Sequence, residues 1–218
     1  MNRRITALSQ QKHNPQRVSV YLDGEYAFGL ARIVAAWLQV GQEISDEKIT
    51  LLQAEDTREV AYQRAIKLLH YRPRTEAEVR QTLRSHDVDE TVIDEVIERL
   101  KSSGLIDDAR FAQLWVENRA EMRPRSHRAL AYELNKRGIQ SQEIAQALEA
   151  VDDEEMAYQA ACKQARKLKD LEWKVFRHKL YGFLSLRGFN YEISSQIIPR
   201  VWEEIHNPEQ LTDEEANL

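Results

Sequence analysis

A repeat of about 50 residues constrains this chain more than any other feature. Arg72-Pro73-Arg74-Thr75 returns as Arg123-Pro124-Arg125-Ser126, 51 residues later. At the same offset Val60-Ala61 match Phe111-Ala112, Val79 matches Leu130, Leu83 matches Leu134 and Val88 matches Ile139. Ile93, Ile97 and Leu100 likewise match Ile144, Leu148 and Val151. In a third copy Leu184, Gly188-Phe189, Ile198 and Val201 answer Leu134, Gly138-Ile139, Leu148 and Val151. Registers that agree at both apolar and turn positions mark equivalent supersecondary units. Each has too small a core to stand without its neighbours.

The punctuation inside each copy predicts three helices. Pro73 and Pro124 disfavour helix at the residue before them and so end the first. Thr75 and Ser126 cap the second, and Thr75-Glu76-Ala77-Glu78 has the form of a capping box. Asp87, Gly138 and Gly188 stand where the second helix stops. Asp89, Gln140 and Asn190 open the third, with Ser141 an alternative to Gln140, a poor cap. Val92, Ile93, Val96, Ile97 and Leu100 form one apolar stripe at helical spacing. The expected fold is mainly α: three tandem three-helix repeats in an elongated, curved array. The repeats are placed at 57–106, 107–152 and 153–206, with an acidic tail at 207–218.

Residues 1–56 read differently. Val18-Ser19-Val20-Tyr21-Leu22 roughly alternates, and Asp23-Gly24 supplies the positive φ angles of a hairpin turn into Glu25-Tyr26-Ala27-Phe28. Ile5 to Leu8 offers a third strand. Ile33 to Val40 has the pattern of a short helix ended by Gly41, and Ser45-Asp46-Glu47 the cap and acidic first turn of another. Helix is expected throughout from about Thr57. A small N-terminal β-hairpin and helix segment thus precedes the array.

No apolar run approaches the roughly 20 residues of a membrane span, and Met1-Asn2-Arg3-Arg4 leads into no apolar signal region. Cys162 is the only cysteine, which excludes an internal disulfide framework and suits a reducing cytoplasm. In Ala160-Ala161-Cys162 it reads as a small helix residue. The formal net charge of −5 argues against a protein that coats nucleic acid without specificity. That average hides a segment from Lys163 to Arg187 with eight Lys or Arg and two acids, and six acids from Glu203 onward.

Catalytic chemistry is not evident. The six histidines are scattered and one cysteine cannot complete a Cys-rich zinc site. Ser126 and His127 are adjacent and would not face each other on a helix. There is no Gly-rich phosphate loop, and Asp107-Asp108 before Phe111 and Trp115 read as a helix cap. No enzyme, metal or cofactor is expected. The candidate binding surface is basic. Arg119, Arg123, Arg125, Arg128, Lys136 and Arg137 cluster around the turn of the second repeat, and Arg72, Arg74, Arg80 and Arg84 hold the related place in the first. Lys163, Arg166, Lys167 and Lys174 recur at spacings near 3, 4 and 7, which predicts a shared helix face; Arg177 lies just beyond. Capping accounts for Thr75 and Ser126 but not for the arginines that flank them. Arg72 beside Tyr71, and Lys174 beside Trp173, could hold phosphate while a ring stacks on a base. Trp115 and Trp202 are expected in the core.

Tyr71-Arg72-Pro73-Arg74-Thr75 with Glu78 and Leu83, the string from Gly104 through Asp107-Asp108 to Phe111-Ala112 with Trp115, Lys136-Arg137-Gly138-Ile139, and Lys179 to Phe189 together resemble the bacterial RecX family. The resemblance covers Thr57 to about Glu204. It implies a monomeric cytoplasmic regulator, usually negative, of the RecA recombinase in recombination and repair. Such proteins lie in the groove of the RecA–single-stranded DNA filament and hinder its ATPase and strand exchange. Many relatives carry Gly at the start of the second helix of the second repeat, where this chain has Pro124-Arg125-Ser126-His127. Two other classes fit the residues: a DNA-binding protein acting without RecA through a helix-turn-helix-like pair, and a protein-only helical scaffold. The acidic run from Asp89 to Glu98 argues against a recognition helix in the first repeat.

Overall fold

The structure is a computed structural model that describes residues 2–206; the acidic tail expected at 207–218 lies outside them. The alternating segment forms β2 (Asn14–Leu22) and β3 (Glu25–Ala31), joined by Asp23 and Gly24 at φ 53° and 95°. Both central residues of the turn are thus in the positive-φ region that a two-residue hairpin requires. β1 (Asn2–Gln11) is the third strand, longer than Ile5 to Leu8, and β4 (Glu43–Ser45) is a short fourth that the sequence did not announce. The antiparallel order is β3-β2-β1-β4. Ile5, Val20, Leu22, Phe28 and Leu30 face one core with Leu38, Ile49 and Leu52.

The helix expected from Ile33 to Val40 is α1 (Arg32–Ala35), only four residues long. The Leu38 N–H then donates to the Ala35 carbonyl at 3.0 Å, and the tightened turn seats Leu38 in the sheet's core. Ser45 caps α2 (Asp46–Tyr71) by accepting the Lys48 N–H. Helix therefore begins eleven residues before Thr57, and α2 runs unbroken through position 56/57. Its first half lies in the sheet's core through Ile49 and Leu52, its second half in the first repeat through Ala61 and Ala65. Asp56 fastens the middle to the sheet. Its carboxylate takes Arg17 at 2.9 Å and the Ala31 N–H at 2.5 Å.

The three repeats have their expected helices. The first is the C-terminal part of α2 with α3 (Glu76–Arg84) and α4 (Glu90–Ser102). The second is α5 (Asp108–Met122), α6 (His127–Asn135) and α7 (Ser141–Leu148), and the third α8 (Asp153–Ala165), α9 (Trp173–Leu186) and α10 (Tyr191–His206). Each middle helix ends alike. Asp87, Gly138 and Gly188 have φ of 55°, 79° and 92°, and the next N–H in each case reaches back to Leu83, Leu134 or Leu184. This is the paired bonding of a left-handed C-cap, and the leucine it returns to is fully buried in all three. Gln140, not Ser141, is the N-cap of α7; its N–H donates to Glu143 at 3.2 Å.

Two compact units divide the chain, one ending at Ile106 and one beginning at Asp107. In the first, α2, α3 and α4 enclose Ala61, Ala65, Val79, Leu83, Ile93, Ile97 and Leu100. In the second, both repeats share a single core from Ala112 to Val201, as expected of units too small to close alone. Trp115 and Trp202 pack at the margin of that core, half-buried. Cys162 is partly buried in α8, and burial pushes its thiol pKa up, which leaves it a poor nucleophile. No helix among the described residues is long and apolar enough to cross a membrane.

Candidate nucleic-acid interface

In the first repeat the basic turn is neutralised where it stands. Thr75 is fully buried and its hydroxyl accepts the Glu78 N–H at 3.2 Å, which starts α3. The Glu78 carboxylate takes Arg72 through two nitrogens at 3.0 and 3.2 Å and lies 3.8 Å from Arg74. Arg80 bonds Glu76 at 2.7 Å and Asp94 at 2.6 Å, and Arg84 bonds Glu90 at 2.5 Å. Burial pushes the Glu76 carboxyl up, but hydrogen bonds from Lys101 and Arg80 outweigh it and hold its pKa below the usual glutamate range. Arg84 holds that of Glu90 down in the same way. All four arginines of this cluster face carboxylates of their own repeat.

The second turn is built the same way and charged differently. Ser126 caps α6 through the Ala129 N–H at 3.2 Å, while its own N–H donates to the Arg187 carbonyl at 3.1 Å. Arg187 Nη1 returns a bond to the Pro124 carbonyl at 2.9 Å, and its guanidinium lies 4.4 Å from the Phe183 ring centre. The close approach depends on Gly188, where an added Cβ would come within 2.5 Å of Ser126 Oγ and 2.9 Å of Ala129 Cβ. The turn is thereby clamped against the end of α9, and three arginines converge. Burial lowers the Arg187 pKa, and the neighbouring charges of Arg125 and Arg123 lower it further. One carboxylate, Glu133, serves Arg125 at 3.0 Å, Arg119 at 3.0 Å and the Trp115 indole N–H at 2.8 Å. Asp153 is engaged with the His127 N–H at 2.5 Å. Arg123 and Arg187 have no carboxylate partner among the described residues. Like charges held together in this way favour an anion beside them.

The other expected site residues separate into bound and open. Arg137 and Arg119 lie 4.0 and 4.3 Å from the Trp115 ring centre, and Lys163 donates to the Glu121 carbonyl at the end of α5. Arg128, on α6, and Lys136, its C-cap, are exposed without an ion pair among the described residues. The single helix face expected for Lys163, Arg166, Lys167 and Lys174 does not form. α8 ends at Ala165, Arg166 is its C-cap, Lys167 lies in a turn, and Lys174 sits with Arg177 on α9. In the turn the Lys167 and Leu168 N–H groups donate three residues back, to the Gln164 and Ala165 carbonyls, and Leu168 and Leu171 lie on the core. Arg187 was missed. The excess of Lys and Arg between 163 and 187 pointed to its neighbourhood, but its partners lie 63 residues away.

Comparison with known proteins agrees with this architecture. Family models described as "Regulatory protein RecX N-terminal domain" and "RecX, first", "second" and "third three-helix domain" match residues 3–45, 61–100, 107–148 and 152–198. A "Regulatory protein RecX" from Clostridium beijerinckii is 30% identical over 91% of this chain and 95% of that one. One from Bacillus pumilus is 30% identical over 98% of this chain and 82% of the other. Among solved structures, a "Crystal structure of regulatory protein RecX" superposes with a TM-score of 0.70 at 26% identity, covering 89% of this chain and 98% of that one. RecX from Lactobacillus salivarius superposes with a TM-score of 0.58 at 27% identity, over 67% and 97%. With relatives at this identity along nearly its whole length, and a model matched by each of its segments in order, the chain belongs to the RecX family of regulatory proteins.

Proposed function

We propose that this protein binds the RecA–single-stranded DNA filament and restrains RecA's ATPase and strand exchange, acting as a cytoplasmic monomer in recombination and repair. The observation that carries it is the convergence of Arg123, Arg125 and Arg187, of which only Arg125 is paired with a carboxylate, Glu133, among the described residues. Such a cluster suits phosphate or an acidic protein surface, and the family's name as a regulator gives it a context. Arg128, Lys136, Arg166, Lys167, Lys174 and Arg177 add open positive charge in the same compact unit. Arg72 and Arg74 contribute once Glu78 yields them, and Arg137 and Lys163 chiefly shape the surface. The net charge of −5 limits stray duplex binding. If about four phosphates of a single strand are neutralised, the salt slope is roughly −2.8, or about fiftyfold in affinity between 50 and 200 mM salt.

The test is RecA ATPase on single-stranded DNA titrated with this protein, beside binding to the same DNA without RecA. The expected result is inhibition well below the RecA concentration with weaker binding to bare DNA. An unaffected ATPase with tight, sequence-dependent DNA binding would replace the filament reading with that of an independent DNA-binding protein.

A further inference from the structure

Between α9 and α10 lies an open groove of about 840 Å³ with no carboxylate in its lining. Its walls combine three aromatic rings with two cations. Trp173, Tyr181 and Tyr191 are 38%, 37% and 63% exposed, large fractions for rings on an otherwise well-packed repeat. They are also braced. Trp173 meets Trp202 edge-on at 5.2 Å, and Tyr181 meets Tyr191 edge-on at 5.9 Å. Ordering such rings in advance removes part of the entropy that binding would otherwise cost. Lys174 and Arg177, on α9, stand beside them without an ion pair among the described residues, although Arg200, on α10, is paired with Glu204 at 3.0 Å.

A polar element completes the lining. Pro199 stands inside α10 and has no N–H to give the Ser195 carbonyl four residues before it, and both residues border the groove. The helix therefore leaves that carbonyl without its usual donor four residues on at that wall, next to rings that offer π faces, an indole N–H and two phenol groups.

We infer that this groove binds a short stretch of unpaired nucleic acid, with bases stacked on Trp173, Tyr181 and Tyr191 and phosphates held by Lys174 and Arg177. Stacking is open to any base, so the site follows a strand without reading its sequence. An acidic peptide would use the two cations and leave the three rings without partners; a duplex would keep its bases out of reach. The inference deepens the function proposed above and rests on it for its setting, since it names the strand, rather than RecA, as what the third repeat touches.

The test uses the full chain, an oligothymidylate, an abasic oligonucleotide of equal length, a duplex and polyglutamate. Binding is read by fluorescence anisotropy and by tryptophan quenching. Tyr191→Ala is the main variant because that ring is the most exposed of the three, Tyr181→Ala is the second, and circular dichroism checks that each folds. The expected loss for oligothymidylate is roughly 5- to 150-fold for a ring that stacks a base. The abasic strand binds more weakly than oligothymidylate and is indifferent to Tyr191→Ala. Lys174→Gln with Arg177→Gln flattens the salt slope by about 1.4. Equal affinity for the abasic strand, unchanged binding by both tyrosine variants, or polyglutamate competition that depends on the same tyrosines would overturn the inference. RecA ATPase run in parallel separates the two proposals. Tyrosine-dependent strand binding without ATPase inhibition keeps the groove and removes the filament role; inhibition with tyrosine-independent binding does the reverse.

Discussion

The two Arg-Pro-Arg turns have the same local chemistry and opposite electrostatics. Both sit before a buried hydroxyl cap, Thr75 or Ser126, and both open a nine-residue helix. What differs is the helix that follows. At the offset of 51, Glu76 and Glu78 of the first repeat correspond to His127 and Ala129 of the second. The first turn thus carries its own counter-charges and is closed as an ion-pair network worth little to stability, since exposed pairs contribute about 0–1 kcal/mol each. The second has lost those acids and gained Arg187 from the next repeat. A motif seen twice therefore does not imply a site present twice. The residues two and four positions beyond it decide.

The largest expected effect tests the clamp that makes the second turn different. Gly188→Ala should destabilise the second compact unit by about 2–4 kcal/mol, combining the left-handed backbone at about 1–2 kcal/mol with steric overlap on Ser126 and Ala129. Thermal unfolding measures it. Asp87→Gly, at the matching position of the first repeat, should instead be neutral or stabilising by up to about 1 kcal/mol. Equal losses at both positions would mean that the clamp plays no special part.

Next comes charge. Arg123→Glu should weaken binding to the RecA–single-stranded DNA filament by about tenfold, removing one phosphate contact and adding repulsion, whereas Arg72→Glu should change it less than about threefold. Equal effects would show that the first turn is as open as the second. A smaller change should go the other way. Glu78→Ala gives the first repeat the residue the second already has, releases Arg72 and Arg74, and should raise affinity about threefold while steepening the salt slope by about 0.7–1.4. Its stability loss should stay under about 1 kcal/mol.

The smallest effect is with acid. Glu76 and Glu90 have folded-state pKa values below their ordinary range. Their pairs therefore stabilise the first repeat above the unfolded glutamate value of about 4.3, and that contribution is lost as pH falls through the lower folded values. Hydrogen-exchange protection of α3 and α4 should decline through that window. Protection that holds to pH 3 would mean the ion pairs contribute nothing.

Elements written locally were legible in the sequence. Asp23-Gly24 announced the hairpin, and the three helix stops at Asp87, Gly138 and Gly188 formed where expected because a left-handed residue and a returning leucine are encoded within six positions. β4 was not legible. Three residues, Glu43 to Ser45, become a strand only because β1 runs beside them. The basic face expected from Lys163 to Lys174 failed because the apolar spacing of Ala161, Ala165, Leu168 and Leu171 stays helical while the chain itself leaves the helix after Ala165. The basic clusters were legible as composition, but not as free charge. Whether an arginine is available depends on its nearest carboxylate, and at Arg187 the decisive neighbours are long-range.

One consequence of α2 reaches beyond packing. Its 26 residues span about 39 Å at the usual helical rise, with one end gripped by the sheet and the other by α3 and α4. A stiff helix held in this way would act as a lever arm rather than a tether. A partner that tilts the sheet by a few degrees also swings the Arg72 turn, which begins at the far tip of that arm. Cutting the chain at residue 57 would not detach a module; it would saw through the arm and leave half of each core without its support.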